Sequence, residues 1–380
     1  MKRSIPSERI GIADSACGGI RKPTMAVLYG QPDRMSTSFQ TEQLSNALEP
    51  WLTTFPLRVA ANVAGKWRRQ AAVLWRTNLR FRLARPTSDY VLYGNDGLAD
   101  LRAWRCKRLL YWYDAPWDWA ACRPTRRQWV HWIRLQNLIC ADHVFAVSQT
   151  QVEIARRLRP NGESSVHYLP VGVDCARFDP AKADGIAIRS RFGLPNKTII
   201  GYLGYMGTRY GRFAGQQLAE VAPALLNEYE VHFLVVGFGP GLERFRRLVI
   251  DLGVVQHFTF TGFVPNEFLT GCLAAMNICV DTLEEGFHSL ARSETKLKQY
   301  MAMGKTCVAT RLGENLTDLD DGRCGILVEP GRQGLLQGLR YACSHPDESR
   351  HLAQAARERA VQLYDWRRIA QRFADVALHQ

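Results

Sequence analysis

The chain has 380 residues, 46% of them hydrophobic and 22% charged, an ordinary globular composition that excludes a disordered or fibrous polypeptide. That length exceeds one core and suits two domains of roughly 150 to 200 residues each. The net charge of +13 is uneven: residues 1–180 hold 26 Lys/Arg against 15 Asp/Glu, the remaining 200 hold 23 against 21.

In chain order, the first 19 residues lack the apolar core of a signal peptide, and no run of about eighteen apolar residues follows anywhere. A cytoplasmic protein is expected. Its ten cysteines stand singly with no C-x-x-C pair, which argues against a disulfide framework or a zinc site and for reduced core thiols. A first train of short apolar runs and helical stretches comprises MAVLYG (25–30), a helix over 39–48, VLYG (91–94), KRLLYWYD (107–114), a helix over 126–140, HVFAVS (143–148), a helix over 151–158 and VHYLP (166–170). After a polar connector around PAKADG the alternation resumes: TIIGYLGYM (198–206), a helix over 213–229, VHFLVVGFG (231–239), a helix over 242–252, FTFTGFV, a helix over 266–276, NICVDTL, TCVATRLG and GILVEP. Strands separated by ten-to-fifteen-residue helices imply parallel sheets covered on both faces. The fold class expected is α/β, with two Rossmann-like domains facing across a cleft: residues 1–175, residues 176–361, and a C-terminal helix over 362–380 crossing back. Ligands of such sheets sit at the carboxyl ends of the strands.

Residues 51–134 hold 16 basic residues against 5 acidic, and nine of the ten tryptophans precede residue 133. Trp67, Arg68 and Arg69, with Trp117 further on, suit an anionic membrane surface, where indoles settle at the headgroups and each Lys/Arg adds up to about 1 kcal/mol. Peripheral attachment to the inner face of the membrane is therefore expected; a solvated basic face over core tryptophans is the alternative. No motif of nucleic-acid recognition accompanies the charge.

Late in the chain, LARSETKLKQYMAMGK (290–305) has helical periodicity, Ser293 at the N-cap position, Glu294 in the first turn and Gly304 as the stop. A lysine in the first turn opposes the helix dipole, so an anion is expected to meet Lys296 there. Gln299, at i+3, shares its face. The glycine-bearing turns GYLGYMGTRYG (201–211) and GFGPG (237–241) follow strands and would let backbone approach a phosphate or sugar.

The run ETKLKQYMAMGKTCVATRLGENLTDLDDGRCGILVEPG resembles the nucleotide-sugar-binding half of GT-B glycosyltransferases, with their K-L-x-E-Y-M-A-x-G-K-P-V-V-A-T and D-x-x-x-D-G-x-x-G-x-L-V-x-P stretches. CADHVFAVSQTQVEIARRL and VHYLPVGVDCARFDP resemble the passage that ends the first domain there, and YDWRRIAQRFADVALHQ the helix that crosses back. The E-x7-E of retaining members of glycosyltransferase family four is not matched, since Ala291 and Gln299 occupy its two positions. The L-A-x-S-x-x-K-L-x-Q-Y pattern is instead similar to the inverting, membrane-associated glucuronosyltransferase of xanthan-type exopolysaccharide synthesis. That resemblance implies that Lys296 contacts a nucleotide diphosphate and Gln299 the nucleoside. Gly204, Met206, Gly207 and Gly237 of the two turns, with Glu294, Thr295 and Tyr300 beside the lysine, are the further candidates around the nucleotide; the Arg and Lys pair that retaining enzymes set against phosphate is not found, and Arg209 and Arg212 are its candidate substitutes.

An inverting transfer needs a general base for the acceptor hydroxyl. YWYDAPWDWA (111–120) offers Asp114, at a strand's end and in the loop that carries the base of the xanthan-type enzyme, and Asp118; Asp33 is a weaker candidate. Asp318-Leu319-Asp320 spells D-x-D but stands in a turn, where the acids cap the chain. His288 has no paired ligand in sequence. No metal and no cofactor are expected. The function implied is transfer of a sugar, glucuronic acid foremost, from a UDP-sugar to a lipid-linked or saccharide acceptor. Alternatives are a retaining hexosyltransferase, an epimerase or hydrolase of sugar nucleotides, and a non-catalytic binder of sugar nucleotide or membrane.

Overall fold

The computed structural model describes residues 22–29, 37–58, 88–94, 101–112, 128–209, 212–213 and 215–379. The N-terminal sheet contains β1 (Thr24–Tyr29), β2 (Thr53–Arg58), β3 (Tyr90–Tyr93), β4 (Lys107–Trp112), β5 (His143–Ala146) and β6 (Val166–Tyr168), all parallel in the order β2-β1-β3-β4-β5-β6. The second contains β7 (Thr198–Leu203), β10 (Val231–Val236), β11 (Phe258–Gly262), β12 (Ile278–Asp281), β13 (Thr306–Thr310) and β14 (Ile326–Val328), parallel in the order β11-β10-β7-β12-β13-β14. A two-residue hairpin, β8 (Thr208–Arg209) with β9 (Arg212–Phe213), lies between β7 and the next helix.

These strands read as apolar runs because parallel sheets are buried on both faces, and VHFLVV of β10 is buried at every position. β2 was not expected. Its sequence, TTFPLR, carries Pro56, whose missing N–H is tolerable because among the described residues β2 is an edge strand paired only with β1.

The described helices are α1 (Thr37–Ala47), α2 (Gln128–Cys140), α3 (Gln149–Leu158), α4 (Gly162–Ser165), α5 (Gly185–Arg191), α6 (Gln216–Leu226), α7 (Leu242–Asp251), α8 (Asn266–Ala275), α9 (Phe287–Leu290), α10 (Thr295–Ala302), α11 (Glu314–Asp318), α12 (Arg332–Ser344), α13 (Pro346–Arg359) and α14 (Trp366–His379). Apolar clusters lie on both faces of each sheet. The C-terminal helix belongs to the first sheet: Trp366, Ile369, Phe373 and Ala377 pack with Met25, Val27, Leu44 and Phe145. Phe373 meets Phe145 at 4.3 Å between ring centroids.

The chain crosses between the sheets twice, and the two crossings are tied together. Val173 N–H donates to Tyr364 O (2.8 Å) and Trp366 N–H to Val173 O (3.1 Å). Arg357 adds donors to the carbonyls of Phe178 and Cys175 on one crossing and Ala302 on the end of α10. Away from the crossings, Gln40 Nε2 of α1 donates to Thr295 Oγ1 of α10 at 3.0 Å. Glu314 of α11 accepts from Gln149 N–H (2.7 Å) and Tyr168 hydroxyl (2.6 Å). The carboxyl ends of the two sheets therefore face one another.

Candidate active site

Along the second sheet the chain runs from β7 outward to β10 and β11, then returns to the other side of β7 for β12. The order reverses between β7 and β12, and the crevice outside those two strand ends is where open α/β sheets bind ligands. β12 ends in Asp281, whose side chain is fully buried. β7 leads into Gly204. The first turn of α10 brings Lys296 to the same place: Nζ lies 2.9 Å from Asp281 Oδ1 and 5.0 Å from the centroid of the Tyr202 ring, and the side chain is 15% exposed.

The anion that meets the first-turn lysine is thus a carboxylate of the chain itself. Burial would lower the Lys296 pKa, but Asp281, Tyr202 and Glu294 raise it above the ordinary lysine value, so the ammonium is retained. Burial pushes the Asp281 carboxyl up, against the attraction of Lys296. Neither Asp281 oxygen accepts a well-directed hydrogen bond. Glu294, also buried, would be raised by burial and is held below its usual value by Arg292, its ion-pair partner, and by Lys296.

The helix differs from the sequence expectation in ways that matter. Residues 287–290 form the separate short helix α9, and α10 starts at Thr295 with Glu294 in the cap position and no side-chain capping bond. Ser293 is not the N-cap; its hydroxyl accepts from Lys298 Nζ at 2.8 Å. Lys298 is fully buried and paired with Asp318 Oδ2 at 2.5 Å, with the Tyr364 ring centroid at 5.1 Å. Two lysines two positions apart point to different sides of a helix, one towards the crevice and one towards the interdomain crossing. Gly304 does stop the helix, at φ +58°.

Of the other residues expected around a nucleotide, Gln299 is half-buried one turn beyond Lys296. Thr295 is engaged by Gln40 across the interface. Tyr300 is turned into the core, its hydroxyl accepting from Leu203 N–H at 2.8 Å, so it fastens α10 to the end of β7 and does not line the crevice. Met206 likewise has its side chain in the core, while its backbone bonds Phe238 O and Gly241 N–H, both at 2.8 Å. The glycines have a packing reason as well. Gly237 has φ +144°, and a Cβ there would lie 1.9 Å from Gly204 O, so the two turns need glycine to pack backbone on backbone. Gly207 has ordinary surroundings. Arg209 and Arg212 face each other in the β8–β9 register.

Around these turns Tyr205, Phe238 and Phe263 form an edge-to-face chain at 5.7 and 5.3 Å, with Tyr205 and Phe263 exposed. His288 lies in α9 with its ring 3.3 Å from Ser289 Oγ. Asp318 and Asp320 do not converge: the first is committed to Lys298, the second to Arg323 and Arg359. Among the described residues no three His, Cys, Asp or Glu side chains come together as a metal site. Asp33, Asp114, Asp118, Trp67, Arg68, Arg69 and Trp117 lie outside the described residues. No helix among the described residues is long and apolar enough to cross a membrane.

Sequence reasoning missed Asp281, Lys298, Asp318, Glu314 and Gln40 as parts of this region. Asp281 carried one legible signal, an acid closing an apolar strand, ICVD. The pairing partners of the others lie 20 to 255 positions away, and nothing local marks them.

Residues 197–344 match the family model described as "Glycosyl transferases group 1". The 2-deoxystreptamine glucosyltransferase of Streptomyces kanamyceticus is 34% identical over 116 residues, which are 30% of this chain and 29% of that protein. A GDP-mannose-dependent alpha-(1-6)-phosphatidylinositol monomannoside mannosyltransferase of Mycolicibacterium smegmatis is 27% identical over 242 residues, 62% of each protein. The matched segments thus span between about a third and under two thirds of these relatives. Among solved structures, Anabaena Alr3699/HepE in complex with UDP and glucose superposes with a TM-score of 0.73 at 14% identity, covering 94% of this chain and all of that one. WaaG, a glycosyltransferase involved in lipopolysaccharide biosynthesis, superposes at 0.69 and 14% identity with the same coverage. The fold is the two-domain α/β architecture of GT-B glycosyltransferases.

Proposed function

We propose that this chain is a GT-B glycosyltransferase of the group 1 type, using a nucleotide-sugar donor. The observation that carries the reading is the Lys296 ammonium, kept charged at the crevice between β7 and β12, at the N-terminal end of α10 and opposite the other domain. A diphosphate at that place gains from the helix N–H groups and dipole and from a fixed cation. The same groups stabilise the negative charge that develops as the nucleoside diphosphate leaves, without a metal. Gln299, on the Lys296 face of α10, is the partner for the nucleoside.

For the other half of the chemistry we assign the general base to Asp114, with Asp118 as its alternate. Asp114 follows β4, which ends at Trp112 near the middle of the first sheet and opens towards the interdomain crevice. The absence of acidic side chains at 291 and 299 supports inversion, and the xanthan-type resemblance supports a UDP-sugar, with glucuronic acid the sugar to test first. A lipid-linked acceptor at an anionic membrane surface accords with the basic, tryptophan-rich first half. A second reading, a GDP-mannose-dependent mannosyltransferase, is favoured by the relative matched over the longer segment.

One experiment separates these: thermal unfolding of the full chain with UDP-, GDP- and TDP-sugars. A donor at 100 times its Kd adds about 2.7 kcal/mol to the stability of the state that binds it. Protection by UDP-sugars alone supports the first reading, protection by GDP-mannose alone the second, and protection by none removes both. Asp114→Asn is then expected to keep donor protection and lose at least about a hundredfold in transfer.

A further inference from the structure

The Lys296–Asp281 pair poses a problem for any diphosphate that is to use the lysine, because the lysine already has a counter-ion. Lys296 cannot simply leave it. Asp281 is fully buried, and neither oxygen has a well-directed hydrogen bond to fall back on, so departure of the ammonium would strand a bare carboxylate in the core. An ammonium has three N–H donors, however, and can hold a carboxylate on one side and an anion on another. Asp281 at 2.9 Å and the Tyr202 ring at 5.0 Å occupy two sides of the ammonium, and the remaining surface of the side chain is what a ligand can reach.

Resting on the glycosyltransferase reading above, we propose that Asp281 is the positioning residue for Lys296. Its carboxylate, fixed by the end of a central strand, anchors the ammonium so that the diphosphate meets a cation already oriented and already charged. Pre-orientation matters because lysine otherwise spends its rotamer entropy on binding. Position on the strand matters as well: β12 pairs β7 and β13, so the carboxylate cannot drift. Among the described residues the charged and titratable groups facing Lys296 are Asp281 from β12, Tyr202 from β7 and Glu294 from the segment before α10; Arg292 acts on Asp281, Glu294 and Tyr202, and Lys298, on the other side of α10, acts on Glu294. With Asp281 neutral, burial acts on Lys296 with only Tyr202 and Glu294 to oppose it, and the ammonium becomes more readily titratable at alkaline pH.

The test is calorimetric titration of the full chain with UDP and with GDP at about pH 7 and about pH 9.5, comparing Asp281→Asn, Lys296→Met and the double variant with the parent. Ratios of variant to parent Kd are compared at each pH, so that titration of the nucleobase cancels. For Asp281→Asn the expected ratio is about tenfold at neutral pH and about a further tenfold at alkaline pH. Lys296→Met is expected to weaken binding by about tenfold or more with no added pH dependence, and to unfold at lower temperature because Asp281 is left unpaired. The double variant is expected to regain that stability and none of the binding, a comparison that holds even if Asp281→Asn alone folds poorly. A folded Asp281→Asn with parental Kd at both pH values overturns the proposal. So does a double variant that binds like the parent. If the parent binds neither UDP nor GDP, the glycosyltransferase reading itself falls, an outcome distinct from a parent that binds and an Asp281 variant that makes no difference.

Discussion

The two sheets share six parallel strands each, yet they arrive at a ligand crevice differently. In the second, the first three strands run outward from β7 and the fourth returns beside it, so the reversal lies between β7 and β12. In the first, among the described residues, only β2 lies outside β1 before the chain returns as β3, the flavodoxin-like variant of the same rule. The second half spends its charge inside: Lys296–Asp281 and Lys298–Asp318 are buried pairs, and its net charge is +2. The first half carries a net +11, with Trp132 half-exposed under the Arg102 guanidinium at 4.7 Å. One architecture thus accommodates a half organised around internal ion pairs and a half with a large excess of positive charge.

The largest test of that contrast removes an internal pair. Lys298→Met leaves Asp318 buried without its counter-ion, and a loss of about 3 to 5 kcal/mol is expected in denaturant unfolding. A loss below about 1 kcal/mol would show the second half to be less dependent on buried charge than its geometry implies. In the first half the comparable change is apolar. Phe373→Ala, which empties the stack on Phe145, is expected to cost about 3 to 4 kcal/mol and to separate the unfolding of the first sheet from that of the second; a single cooperative transition would argue against that separation.

Next in size is the glycine contrast within the second half. Gly237→Ala forces a side chain at φ +144° against Gly204 O and is expected to cost about 2 kcal/mol or more, while Gly207→Ala, whose Cβ would have 3.6 Å to Tyr205, changes stability by less than about 0.5 kcal/mol. Equal effects would contradict the turn-on-turn packing.

The smallest expected effect is a pH dependence of the first half. His143 Nδ1 and His167 Nε2 lie 3.0 Å apart. Burial, then the charge of the other imidazole, lowers His167 to about 4; burial and Lys107 lower His143. With both values below that of the unfolded chain, the unfolded state takes up protons first as pH falls. Stability is therefore full above about pH 6.5 and declines towards pH 4, by about 1 to 2 kcal/mol after allowance for partial exposure. His167→Gln should flatten that decline in pH-dependent urea titrations, and an unchanged slope would reassign it to the carboxylates.

Much of this was legible before any coordinates. Strands 25–29, 107–112, 143–146, 198–203 and 231–236 stand out because parallel strands buried on both faces are written as unbroken apolar runs. Gly304 marked a helix end through its backbone, and the C-terminal helix that packs on the first sheet was legible through its resemblance to a helix that crosses back. What failed, failed for local reasons. Pro56 hid an edge strand, residues 290–305 carried one periodicity across the end of one helix and the start of the next, and the packing of Gly237 on Gly204 left no local mark.

Composition and periodicity alone determined the α/β class, the two sheets and the segment on which a cation would matter, because backbone pairing and burial leave their marks within a few residues. Tertiary structure decided what that cation touches. Asp281 and Lys296 are 15 positions apart, Asp318 and Lys298 are 20 apart, and Gln40 reaches Thr295 across 255. Charges pair through space at about 3 Å, and sequence order has no means of recording that distance.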